Sequence, residues 1–317
     1  MRSSVWIDTD CGFDDLAAIA MVAADANWRI LGLGIVAGNV PLDIAVRNAH
    51  RMNAFFKWGL PIHAGHQKPI IGKLVTAQHI LGEDGLPTVN RTLPEDEADA
   101  SSSGAINALA KALEVTSEPM TILALGPLTN IAVTLLARPD LIVQIREIVW
   151  MGGSASGGNH TSSAEFNAFV DPEAVAVVLE TGVPVRMVGL DCCRQVSVNR
   201  TDAHKLRGLE TDRARILADL LDGYVCIANP DGTRPMALFD AVAAAALLDD
   251  RAVAFIPAHV TIELAGKHTR GMTICEMRAN KAFPNVMIAR SAISTRIVDR
   301  FLTVLSHAAV MESEEQV

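Results

Sequence analysis

Short, mostly apolar runs alternate along the first two thirds of the chain with longer stretches whose apolar positions fall at helical spacing. The runs lie at 5–8, 30–37, 61–64, 120–125, 147–151 and 184–188, and the helical stretches at 15–24, 42–56, 102–113, 127–136 and 172–180. Strand alternating with helix is the βαβ signature of a mostly parallel sheet. Asp171-Pro172 reads as a helix cap followed by proline at the first helical position, and Pro127 follows Gly126 at another helix start.

Beyond about Asn199 the regularity weakens. A polar helix is expected at 202–226, then a turn-rich stretch at 229–235, a very apolar helix from Asp240, strands at 253–264, 271–277 and 285–289, and a helix at 291–309. With no repeat and no linker, residues 1–311 are expected to form a single domain, and 312–317 an acidic, frayed tail. The predicted class is α/β, an open, mostly parallel, Rossmann-like sheet flanked by helices. The unusual polar residues gather where predicted strands end: Asp10 to Asp15, Asn39, Gly126, and Gly152 to Asn159. In open α/β sheets that edge is where ligands bind.

Composition narrows the partners. Half of the 317 residues are hydrophobic, enough to bury a large core, and the formal net charge is -9 with no basic cluster. Such a chain is poorly suited to nucleic-acid polymers, which need Lys and Arg to displace counterions, whereas small neutral substrates remain open. The five cysteines are odd in number and form no C-x-x-C pair, which indicates neither a disulfide framework nor a zinc site. The longest apolar runs, 16–24 and 241–248, are too short to span a bilayer, and the N-terminus has no secretory pattern. A reducing cytoplasm is the expected location.

The densest chemistry is Asp8-Thr-Asp10-Cys-Gly12-Phe-Asp14-Asp15, four carboxylates in eight residues between a strand and a helix. Capping and the helix dipole favour Asp at a helix start, which accounts for Asp14 or Asp15 and leaves Asp8 and Asp10 unexplained. Like charges this close repel, and a hard divalent cation is the simplest compensation. Gly12 lets the chain turn and aim several oxygens inward. An EF-hand loop counted from Asp8 requires Gly and Glu where Phe13 and Ile19 stand, so that reading fails. A magnesium-dependent phosphatase of the haloacid dehalogenase type, with Asp8 as its nucleophile, is an alternative.

The same run resembles the N-terminal fingerprint of the inosine–uridine-preferring nucleoside hydrolase family, and its companions follow in order. They are Ala37-Gly-Asn39, Gly82-Glu-Asp-Gly-Leu86, Leu125-Gly-Pro-Leu-Thr-Asn130, Met151-Gly-Gly153, Gly158-Asn159, Ala164-Glu-Phe-Asn167 and Leu238-Phe-Asp240. The resemblance covers nearly the whole chain. It implies that Asp10, Asp15 and Asp240 bind Ca2+ through side chains and Leu125 through its main-chain oxygen. Asp14, Asn39, Asn159, Glu165 and Asn167 would hydrogen-bond the sugar, with Met151 adding main-chain or packing contacts. The reaction implied is hydrolysis of a ribonucleoside N-glycosidic bond, with Asp10 as base, inversion at the anomeric carbon and discrimination against deoxyribose. The family also implies a homodimer or homotetramer.

The chain departs from the family pattern at the leaving base. Many members carry His immediately before the late Asp and His-Gly in the mobile loop. Here Phe239 and Leu81 stand in those places, with His79 two residues from the second. A purine-preferring branch activates the base by aromatic stacking, so Phe239 is similar to that arrangement and points to purine ribonucleosides. Tyr224, the only tyrosine, lies near a segment that contacts the base in relatives. Loss of both expected histidines also leaves open a non-catalytic nucleoside- or calcium-binding protein.

Overall fold

The computed structural model describes residues 2–96, 104–278 and 280–311. Its strands are β1 (Ser3–Thr9), β2 (Trp28–Ile35), β3 (Ile62–Ala64), β4 (Met120–Ala124), β5 (Ile145–Met151), β6 (Val185–Val188), β7 (Ser197–Val198), β8 (Met236–Ala237), β9 (Val253–Ile262), β10 (Thr273–Glu276) and β11 (Val286–Ala292). Its α-helices are α1 (Phe13–Ala23), α2 (Leu42–Phe56), α3 (Gln78–Leu81), α4 (Ala105–Val115), α5 (Thr129–Ala137), α6 (Phe166–Val170), α7 (Pro172–Glu180), α8 (Leu190–Cys193), α9 (Arg200–Arg207), α10 (Asp212–Cys226), α11 (Asp240–Leu248) and α12 (Ser294–Val310).

Nine strands form one sheet in the order β10-β9-β11-β6-β5-β4-β1-β2-β3, parallel except where β9 meets β10 and β11. This is the α/β, mostly parallel architecture expected from the sequence. Side chains alternate across the strands, so Val5, Ile7, Leu123 and Val149 join the layer containing α1, α2 and α10 to α12. Trp6, Ile122, Ala124 and Trp150 join the opposite layer with α4, α5 and α7. Burying both faces is what makes these strands near-continuous apolar runs.

Two features of the topology place the site. Successive strands step outward from β1 to β3 in one direction and from β4 to β6 in the other, so the crossovers diverge between β1 and β4. A crevice opens there at the carboxyl ends of the strands, where Asp10 leaves β1 and Leu125 leaves β4. In addition, α11 is buried from Asp240 to Leu247 and packs against α1. A helix apolar on every side must be enclosed, and the alanines at 243–246 allow close approach.

Several expected boundaries are corrected. The polar helix at 202–226 is two helices, α9 and α10, because Glu210 takes a left-handed conformation (φ 59°) and the Thr211 side chain caps α10 by accepting the Ala214 N–H at 2.9 Å. The helix expected from Ser291 starts at Ser294, since β11 continues to Ala292 in pairing with β9. The short α3, α6 and α8 and the β7–β8 pair carried too few residues to show a period. Residues 102 and 103 of the helix expected at 102–113, and the tail 312–317, lie outside the described residues.

Candidate active site

The chain turns sharply as it leaves β1. Cys11 sits at φ 58°, a conformation that L-residues avoid by about 1–2 kcal/mol, and its N–H donates to Thr9 Oγ1 at 3.2 Å. Gly12 then starts α1, its N–H donating to Asp15 Oδ2 at 2.8 Å, while the Thr9 hydroxyl donates to Asp15 Oδ1. The turn places Asp10 beneath the crevice and Asp14 and Asp15 in the first turn of α1. Packing of α11 against α1 brings Asp240 to the same point. Asp14, Asp15 and Asp240 present carboxylate oxygens all within 4.8 Å of one another. Asp10 lies close enough for its charge to act on Asp240.

Asp10 is held by Asn39, whose main-chain N–H donates to Oδ2 at 2.7 Å and whose side-chain amide donates to Oδ1 at 3.0 Å. Gly38 permits this approach. A Cβ there would lie 2.1 Å from Asp10 Oδ2 and 2.9 Å from the Pro127 ring. Gly38→Ala is therefore expected to displace the Asp10 carboxylate and lower turnover about 100-fold, the scale of a misplacement near 1 Å. Steady-state kinetics alongside an unchanged circular dichroism spectrum would check this.

Burial pushes Asp10, Asp14, Asp15 and Asp240 above the usual carboxylate range, Asp14 to about 7. Neighbouring negative charge raises Asp10, Asp14 and Asp240 further. The positive helix ends of α1 and α11 face the cluster, but a dipole contributes only about 1 kcal/mol. No arginine among the described residues forms an ion pair with any of the four carboxylates. Four enclosed carboxylates ionise together only beside a cation, so this all-oxygen donor set fits a hard divalent ion. Leu125 adds a carbonyl oxygen. It accepts one hydrogen bond from Asn167 Nδ2 at 2.8 Å and retains a second lone pair.

Above this floor lies a cleft of about 240 Å³. Of the residues singled out in the sequence, Asp10, Asp14, Asn39, His79, Leu81, Leu125, Met151, Asn159, Glu165, Phe166, Asn167, Tyr224, Phe239 and Asp240 line it. Asp15 sits behind them, fully buried. Glu165 reaches the cleft while capping α6, accepting N–H groups of Gly153, Asn167 and Ala168 at 2.9–3.0 Å. Asn159 Oδ1 accepts the Phe166 N–H at 2.9 Å. The Tyr224 hydroxyl donates to the Ala237 carbonyl at 2.7 Å and lies 3.4 Å from Asp14 Oδ2.

Asp8 does not line the cleft. Its two oxygens lie 3.2 Å from Asn130 Nδ2 within the sheet, and burial raises its carboxyl to about 7. A phosphatase nucleophile in that position has no access to substrate. Five lining residues carried no signal in the sequence: Ala77, Ile80, His160, Ile227 and Met236. They come from four separate segments and meet only in three dimensions.

An acid-lined cation site at the switch point of a doubly wound sheet, opening into a cleft sized for one small molecule, defines a metal-assisted hydrolase. The chain belongs to the inosine-uridine preferring nucleoside hydrolase family, whose model matches residues 5–299. Among curated relatives it is 34% identical over 294 residues to the pyrimidine-specific ribonucleoside hydrolase RihA of Salmonella schwarzengrund, covering 91% of this chain and 94% of the relative. Among solved structures it superposes on the purine-preferring ribonucleoside hydrolase from Gardnerella vaginalis with a TM-score of 0.87 and 26% identity, covering 97% of this chain and 99% of that one. An inosine-guanosine nucleoside hydrolase gives a TM-score of 0.87 at 25% identity, covering 98% and 100%.

The chain is thus a glycosidase that hydrolyses the N-glycosidic bond of ribonucleosides, and its aspartate cluster is of the Ca2+-binding kind found in this family. Among the described residues no helix is long and apolar enough to cross a membrane.

Proposed function

We propose that the enzyme prefers purine ribonucleosides, with Asp10 taking the proton of the attacking water. Phe239 carries the preference. It lines the cleft immediately before Asp240, and Phe166, Ile80, Ile227 and Met236 supply further apolar wall. A flat bicyclic base offers such walls more surface than a pyrimidine, and aromatic stacking contributes about 0.5–1.5 kcal/mol beyond burial. The names of the relatives divide between purine and pyrimidine, so the cleft itself supports the choice.

Calcium, when bound, supplies the charge that acidifies a water molecule and positions the vicinal sugar hydroxyls. Asp10, Asp15 and Asp240 with the Leu125 carbonyl would hold it. Asp14, more exposed than Asp15, faces the sugar together with Asn39, Asn159, Glu165 and Asn167. Asp10 suits the role of base because its two hydrogen bonds from Asn39 fix its oxygens and burial raises its proton affinity. The carboxylates also stabilise the positive charge that develops on the ribosyl group as the base departs. A single-domain subunit (residues 1–311) in a reducing cytoplasm is the setting we propose, and five free cysteines accord with it.

Turnover of inosine, guanosine, adenosine, uridine and cytidine in calcium, followed by reducing-sugar release, tests the preference. Inosine or guanosine is expected to exceed uridine in kcat/KM by up to about tenfold, the range that stacking supplies. Faster cleavage of uridine or cytidine would overturn it.

A further inference from the structure

The floor of the cleft has its chemistry, but two histidines in the wall have none assigned. His79, exposed on α3, and the half-buried His160, in the loop between β5 and α6, both line the cleft. The His160 ring lies against Phe169, with centroids 4.3 Å apart, and against Phe166 at 5.5 Å. The His160 main-chain N–H donates to the Ala164 carbonyl at 3.2 Å, so ring and backbone are both held in place. Burial holds the His160 imidazole below its ordinary value, and the charge of His79 pushes it the same way. A proton on His79 therefore disfavours a proton on His160.

Breaking the glycosidic bond leaves an electron pair on a base nitrogen, and departure is slow unless a proton arrives. The titratable groups lining the cleft are Asp10, Asp14, Asp240, Glu165, Tyr224, His79 and His160. The aspartates serve the cation, the sugar and the water. Glu165 is occupied by three main-chain N–H groups, and the Tyr224 proton is directed at the Ala237 carbonyl. Phe239 has no proton to give. An imidazole is the side chain suited to donate and regain a proton near neutral pH.

We propose that His79 and His160 together deliver the proton to the departing nucleobase. This rests on the nucleoside-hydrolysing reaction described above. As the C1′–N bond breaks, its electron pair passes to the base nitrogen and takes up the imidazolium proton. The water oxygen bonds to C1′ and the water proton goes to Asp10. The imidazole regains a proton from solvent, which exposed His79 meets directly, and Asp10 releases to solvent the one it took from water. Ribose and neutral base are the products.

The test compares His79→Gln, His160→Gln and the double variant, each loaded with calcium, on inosine and on p-nitrophenyl riboside. The second substrate has a leaving group that departs unprotonated. For the double variant, kcat on inosine is expected to fall about 100-fold or more. The decline of wild-type kcat on inosine towards alkaline pH, where the imidazolium is lost, is expected to disappear. Turnover of the riboside should fall far less, which also reports an intact fold and sugar site. In proton NMR titrations, His79→Gln should move the His160 midpoint upward, because a nearby positive charge has been removed. Equal losses on both substrates, or no loss on inosine, would overturn the proposal. Wild-type protein inactive on both substrates would instead sink the hydrolase reading beneath it.

Discussion

Asp10→Asn is expected to give a folded protein whose hydrolysis of ribonucleosides is slowed by about 10³–10⁴-fold, the upper range for loss of a positioned base. Asparagine preserves the shape of the side chain but keeps an acceptor for only one of the two hydrogen bonds from Asn39, since these reach different oxygens of Asp10. What disappears is the negative charge and the ability to take a proton. The same substitution should raise the thermal stability of the calcium-free protein. Asp10 is buried, and both Asp15 and Asp14 repel its charge, so a neutral side chain relieves repulsion felt across the cluster. Activity and calcium-free stability thus move in opposite directions, as expected where a functional site stores strain. Kinetics and thermal melts in chelator on one preparation read both effects. Retained activity would remove Asp10 as the base, and a lower melting temperature in chelator would contradict the repulsive cluster.

The second large effect concerns calcium and pH together. Folding raises the pKa values of Asp10, Asp14, Asp15 and Asp240 above the unfolded range, Asp14 from 3.8 to about 7. Without calcium, the folded protein therefore binds more protons than the unfolded chain. Their contribution to stability is fully present below pH 4 and is lost as pH rises through the folded values. Calcium selects the ionised cluster, so its stabilisation should grow over the same interval. At a hundredfold excess over its Kd a ligand adds about 2.7 kcal/mol, or about 4 °C for a chain of this size. Chelation is thus expected to abolish turnover and to lower the melting temperature more at pH 8 than at pH 5. A calcium-induced shift that is larger at pH 5 would contradict this.

The parts of the molecule legible in the sequence are those where one physical requirement dominates a segment. The strand entering the acidic run, the enclosed α11 and the Asp171-Pro172 start of α7 each announce themselves through apolar continuity or capping chemistry. Four acids within eight residues implied a cation, but not the division of labour that leaves Asp8 inside the sheet, paired with Asn130. The break between α9 and α10 had a local signal in Gly208 and Thr211, masked by apolar spacing that continues across it. The cleft walls were least legible. His160 and Met236 follow no period, and their juxtaposition depends on where loops from different crossovers meet.

The docking of α11 onto α1 also governs when the ion can bind. Asp14 and Asp15 emerge early in synthesis, whereas Asp240 lies in the last third of the chain. A ribosome-bound N-terminal portion therefore carries a concentrated negative charge with nothing to complete it. Completing the acidic site requires that α11 has docked on α1, so tight binding of the ion reports that these two distant segments have come together.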